Sequence, residues 1–146
     1  MIRVIRERQI RASAHSVFAA LADPSNLAGI IPRVRRIALV ARGADSAKVV
    51  TYLALGPFGD LRSEGDVRWQ TDREVVFNSS RPVQVEARWS LTPAEETTHL
   101  RASLSLDLSR LIGPLTAFVP HGEVERMIGP DLDAALSAIA QRVEAK

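Results

Sequence analysis

Toward the C-terminus, Val124, Met127, Ile128, Leu132, Ala135, Leu136, Ile139 and Val143 recur at three- and four-residue steps, a spacing that lines them along one face of a helix. A long helix with one wide apolar stripe needs a broad apolar partner. The partner on offer is the run of strand-like segments between Val49 and Leu108. There Leu100, Ala102, Leu104, Leu106 and Leu108 face one way against Arg101, Ser103, Ser105 and Asp107, the cleanest alternation in the chain. The expected fold is α+β, with one antiparallel sheet laid against a long C-terminal helix. Such an arrangement often leaves a hollow between helix and sheet, which is where a small molecule fits.

The segments before the sheet can be read in the same way. Ile2, Val4 and Ile10 share a strand face with Arg6 and Arg8. Ser13 is placed to cap a helix with Val17, Phe18 and Leu21 inward, and Asp23-Pro24 stops it. A second short helix runs through Leu27, Ile30 and Ile31 to Pro32. Strands follow at 34–41, 47–55, 61–70, 74–79, 83–91 and 99–108, giving about seven with the first. The turns between them are too short for crossover helices, so the sheet is antiparallel. In the long helix, Pro130 lacks an N–H and crowds the carbonyl of Arg126, so a kink or break is expected at Gly129-Pro130. With no internal repeat, low-complexity tract or linker, residues 1–146 read as one domain.

Composition narrows the function classes. A chain of 146 residues with 46% hydrophobic content is long enough to bury about 70% of its unfolded surface without a disulfide or metal. Cysteine is absent, which removes thiolate nucleophiles and zinc-thiolate sites and points to the cytoplasm. The first residues interleave Ile2, Val4 and Ile5 with arginines and offer no signal-peptide core. No apolar run reaches the length of a membrane span, so stable insertion is not expected. The 19 basic side chains are nearly matched by 17 acidic ones. The densest basic group, Arg33, Arg35 and Arg36, has no interleaved aromatic, so nucleic acid is not the expected partner.

Recognisable catalytic and cofactor motifs are missing, and neither a cofactor nor a metal is expected. There is no H-E-x-x-H, no phosphate-cradling Gly-rich loop and no dinucleotide fingerprint. His121-Gly122-Glu123 imitates the H-x-E of nucleobase deaminases, which also require a pair of thiolates that this chain does not have. His15 falls in the first turn of a helix, and His99 follows Glu95 and Glu96, where a weak surface pairing is its expected role. Proton transfer on a bound substrate requires a titratable group in the hollow. Tyr52 and Glu64 are the candidates.

The segment from Ile10 to Pro24 (IRASAHSVFAALADP) and the run Trp89 to Pro93 (WSLTP), in an order of strand, two short helices, six strands and long helix, resemble the helix-grip superfamily. That superfamily includes START lipid-transfer domains, birch-pollen allergen-like proteins and bacterial polyketide cyclase/dehydrase-like proteins (SRPBCC). The resemblance covers essentially the whole chain. The stretch Leu27 to Val34 (LAGIIPRV) is also similar to the carbon monoxide dehydrogenase and coenzyme Q-binding branches of that superfamily, departing from the former at Arg33.

The resemblance implies a helix-grip fold and a hydrophobic cavity for a lipid, polyketide, isoprenoid or similar molecule. It points Ile10 inward, and with it Arg6 and Arg8, two guanidinium groups suited to a ligand carboxylate or phosphate. The alternative for that pair is solvent, or internal pairing with Glu64 or Asp66. The candidate lining comprises Arg6 and Arg8, the apolar Ile31 and Met127, and the aromatics Tyr52, Phe58, Trp69, Phe77, Trp89 and Phe118. Phe58, between Gly56-Pro57 and Gly59, reads as a gate. A cyclase-type enzyme acting in the cavity, and a protein-interaction or maturation module, are the alternatives.

Overall fold

Every alternating segment becomes a strand in the computed structural model, which describes residues 2–22, 26, 30, 34–54, 60–81, 84–107 and 121–144. The strands are β1 (Ile2–Ile10), β2 (Val34–Arg42), β3 (Ser46–Ala54), β4 (Asp60–Gln70), β5 (Glu74–Arg81), β6 (Gln84–Pro93) and β7 (Thr98–Asp107). Helix α1 (Ala14–Ala22) follows β1, and helix α2 (His121–Glu144) follows β7. The fold is α+β, of the helix-grip type. All neighbouring strands are antiparallel, in the order β1-β7-β6-β5-β4-β3-β2. β1 and β2 are therefore the two edges.

The register separates an inner face from an outer one. Ile2, Val4, Arg6, Arg8 and Ile10 lie opposite Leu106, Leu104, Ala102, Leu100 and Thr98, and these opposite Val85, Ala87, Trp89, Leu91 and Pro93. Helix α2 packs on β1, β7 and α1, and α1 also reaches β5 and β6. The core forms between them: Val4, Ile10, Val17, Phe18, Leu21, Leu100, Leu132, Leu136 and Ile139 are each no more than 8% exposed. Ser13 caps α1 as expected, its Oγ accepting from the N–H of Ser16 at 3.2 Å. At the far end, the N–H of Arg11 donates to the carboxylate of Glu144 at 2.9 Å, tying the exit of β1 to the last turn of α2.

Three details depart from the sequence reading. α2 runs through Pro130 without a break, so of the kink or break expected there the break is overturned. Its Gly129 is buried, and a Cβ there would run into the guanidinium of Arg6, so the glycine makes room for an arginine from β1. His99 sits within β7 and pairs with Glu7 of the neighbouring strand at 3.2 Å, not with the preceding glutamates. β6 continues to Pro93, so the following turn is shorter than 92–98, closed by the N–H of Ala94 donating to the carbonyl of Thr97. The expected second short helix lies largely outside the described residues, of which Asn26 and Ile30 are helical and Ile30 is buried in the core.

Candidate functional site

Two adjacent rows of inner-face residues cross the sheet with different fates. In one row Ala102, Trp89 and Val75 stand side by side and are no more than 5% exposed, covered by α1 and α2. In the next row Leu104, Ala87, Phe77 and Val67 stand side by side and are all half-buried. Val85, one step further along β6, is half-buried too. Trp69, at the β4 end of the covered row, joins them as a half-buried ring packed against the core. The result is an apolar floor that the helices leave partly open, the kind of surface that favours an apolar ligand.

The floor is shaped by a glycine and a bulge. A Cβ on Gly65 would lie 2.5 Å from the carbonyl oxygen of Asn78 and 2.7 Å from the ring of Phe77. The edge of the Phe77 ring therefore occupies the space beside Gly65, a contact in which an aromatic side chain shields a strand glycine. The register between β4 and β5 shifts between Glu64 and Asp66, beside this glycine. There the hydroxyl of Ser63 donates to that of Ser79 at 2.7 Å, and Ser79 donates to the carbonyl of Glu64 at 2.7 Å. Among the described residues no buried side-chain polar atom lacks a partner. The floor is thus neutral and internally satisfied.

Titratable side chains on this face, among the described residues, come from the two edge strands. Arg6 contacts Asp133 at 3.5 Å and Glu125 at 3.8 Å, both on α2, and donates to the carbonyl of Ile5 at 2.9 Å. Arg8 is exposed and donates to the hydroxyl of Ser137 at 3.2 Å. Both point toward the helix as the sequence implies. Arg6 takes its partners from α2, not from Glu64 or Asp66. From β2, Arg42 stands opposite Ala47, itself opposite Val67, with its guanidinium 5.7 Å from the Trp69 ring centre.

Tyr52 and Glu64, the candidates for proton transfer, lie on the outer face. Tyr52 pairs across strands with Arg36 and Arg62, and the Arg36 guanidinium sits 4.5 Å from its ring centre. Hydrogen bonds from Arg62 and then Arg36 hold its phenol below the ordinary value of 10.0. Glu64 accepts from Arg62 at 2.8 Å. The outer face also carries a depression of about 400 Å³, lined by charged and polar groups including Arg3, Glu64, Asp66, Asn78, Glu86 and Ser105. Its lining suits an apolar molecule poorly.

Of the aromatic candidates, Phe77 and Trp69 border the open floor, whereas Trp89, 5% exposed, belongs to the core. Ile31, Phe58 and Phe118 lie outside the described residues, as does the side chain of Met127. Val67, Val85, Ala87, Leu104 and Arg42 were not among the lining candidates read from sequence, although Leu104 was placed in the alternating row of β7. The signal for the first four was their two-residue alternation with Arg68, Glu86, Arg88 and Ser103.

A family model described as polyketide cyclase/dehydrase and lipid transport matches residues 1–144. Among solved structures, the chain is similar to a protein from Thermus thermophilus, at 21% identity and a TM-score of 0.83, with 98% of this chain and 97% of that one covered. It is similar to a START superfamily protein from Mycobacterium smegmatis, at 17% identity and a TM-score of 0.76, with 99% of each chain covered. A Streptomyces aromatase/cyclase matches at 15% identity and a TM-score of 0.75, over 97% of this chain and 93% of that one. At these identities the likeness establishes the shared fold. No curated protein sequence matches. Among the described residues no helix is long and apolar enough to cross a membrane, and no group of acidic and histidine side chains is placed to hold a metal ion.

Proposed function

The chain belongs to the polyketide cyclase/dehydrase and lipid transport family, and on that premise we propose that it binds one small hydrophobic molecule on the inner face of the sheet, beside α2. The observation that carries this reading is the half-buried row Leu104, Ala87, Phe77 and Val67. Four apolar side chains left partly open inside a curved sheet bury further area only when something apolar covers them. Binding, not proton transfer, is the better reading of the described part of this face. Of its hydroxyls, those of Ser63 and Ser79 are engaged with each other. The two groups suited to acid–base work, Tyr52 and Glu64, lie on the far side of the sheet.

The reading has a quantitative consequence. Each methylene transferred from water to the floor contributes about 0.8 kcal/mol, so in a series of straight-chain ligands the affinity rises about fourfold per added carbon until the floor is filled. Displacement of a bound hydrophobic fluorophore measures that series, and native mass spectrometry of the purified protein shows whether one ligand is already carried. Saturable one-to-one binding with a chain-length optimum supports the reading. A cooperatively folded sample that takes up no member of the series, nor quinones or polycyclic aromatics, overturns it in favour of a protein-interaction module.

A further inference from the structure

The three inner-face arginines differ in what their charge already meets. Arg6 has two carboxylates of α2 beside it, at 3.5 and 3.8 Å, and lies against the Gly129 backbone. Arg8 donates one N–H to the hydroxyl of Ser137 on α2. Arg42 is exposed, has neither a side-chain ion pair nor a side-chain hydrogen bond among the described residues, and has the Trp69 ring centre 5.7 Å from its guanidinium carbon. A cation–π contact takes up no hydrogen-bond acceptor, so the N–H groups of the guanidinium fork retain capacity for an anionic partner. Such a fork accepts a carboxylate or a phosphate in two parallel hydrogen bonds.

Its place in the register gives this free fork a role. Arg42, Ala47, Val67 and Phe77 stand side by side on β2, β3, β4 and β5, so Arg42 ends the same inner-face row that forms the apolar floor. At the usual strand spacing, β2 and β5 are about 14 Å apart. We propose that Arg42, positioned by Trp69, recognises the anionic head group of an amphiphile whose apolar tail lies on Val67 and Phe77. The inference rests on the binding reading above and adds the ligand class: a single-chain molecule ending in a carboxylate or phosphate monoester. It also moves the anion anchor from Arg6 and Arg8, where the sequence reading placed it, to the opposite edge of the sheet.

Dodecanoic acid, dodecyl phosphate and methyl dodecanoate, titrated below their micelle concentrations at pH 7.5, test this directly. The wild-type protein is expected to bind the acid or the phosphate about tenfold more tightly than the ester, the step expected of one charge-assisted contact. The stronger of the two anions identifies the head group. Arg42→Met is expected to bring that ratio to within twofold while leaving ester affinity unchanged, and Arg6→Met to leave the ratio as it was. If the wild-type protein shows no preference, or if Arg42→Met weakens anion and ester equally, the head-group assignment is wrong although binding stands. If none of the three probes binds, the binding reading itself fails and takes the assignment with it.

Discussion

Ala102, Trp89 and Val75 form one row of the inner face, and Leu104, Ala87, Phe77 and Val67 form the next. Both rows are apolar, lie on consecutive steps of the same strands and obey the same alternation. The first is buried and the second half-buried, while α1 and α2 pack on β1, β7, β5 and β6. Alternation decides which residues turn inward. It does not decide whether the protein itself supplies their cover. On the binding function proposed above, the half-buried row is where a ligand would take the place of a helix.

The sharpest way to break this comparison is to truncate one residue on each side of the divide. Leu136→Ala, at a site 2% exposed, is expected to cost about 2–5 kcal/mol in denaturant unfolding. Phe77→Ala deletes a larger side chain and is expected to cost less, while abolishing uptake of a hydrophobic fluorophore. If Phe77→Ala proves the more destabilising and leaves uptake intact, the second row is core. Next in size is Gly65→Ala, which pushes a methyl against the Asn78 carbonyl and the Phe77 ring. Overpacking of this kind costs about 1–3 kcal/mol, and unchanged stability would show that Phe77 is free to move aside.

A smaller effect is expected for Arg6→Met. Its partners Glu125 and Asp133 are more than half exposed, so the loss should stay below about 1 kcal/mol and shrink further in high salt. A larger, salt-independent loss would mean that the Arg6 packing against Gly129 carries the stability. The smallest effect concerns the outer face. Tyr52 is the chain's one tyrosine, so absorbance titration of the native protein reads its phenol alone. Its ionisation is expected below the ordinary 10.0, and Arg62→Met should raise it. Since the folded-state value is the lower one, the group favours the fold only where the phenolate forms, at high pH. That contribution fades as pH falls through the folded-state value and is absent at neutrality. Ionisation at or above 10.0 in the wild-type protein would contradict the Arg36–Tyr52–Arg62 arrangement.

Much of this architecture was legible in the sequence. The stripe from Ile128 to Val143 and the alternation from Leu100 to Leu106 place α2 and β7, and turn residues separate the remaining strands. Period two puts Arg6 and Arg8 on one face of β1 with Val4 and Ile10, and the resemblance to the family is what implied that this face turns inward. The register of the central strands could not. Whether Tyr52 or its neighbour Thr51 turns inward depends on pairings that shift along β2, between Val34 and Arg36 and between Leu39 and Ala41, and a one-residue shift exchanges the two faces. The partners of Arg6 lie more than a hundred residues downstream on another element, and the reason for Gly129 is visible only once they meet. Arg42 has no local signature. Its distinction is the lack, among the described residues, of a competing carboxylate, a property of the assembled sheet.

The most direct test of an open, ligand-taking half is a residue-by-residue map of binding. Amide and methyl resonances recorded with and without a saturating straight-chain ligand report which part of the sheet is covered. The expected result is that Val67, Phe77, Val85, Ala87 and Leu104 shift together, with Leu100 and Ile139 in the packed core little changed. Shifts confined to the outer face around Arg3, Asp66 and Glu86, or to none of these residues at all, would contradict it.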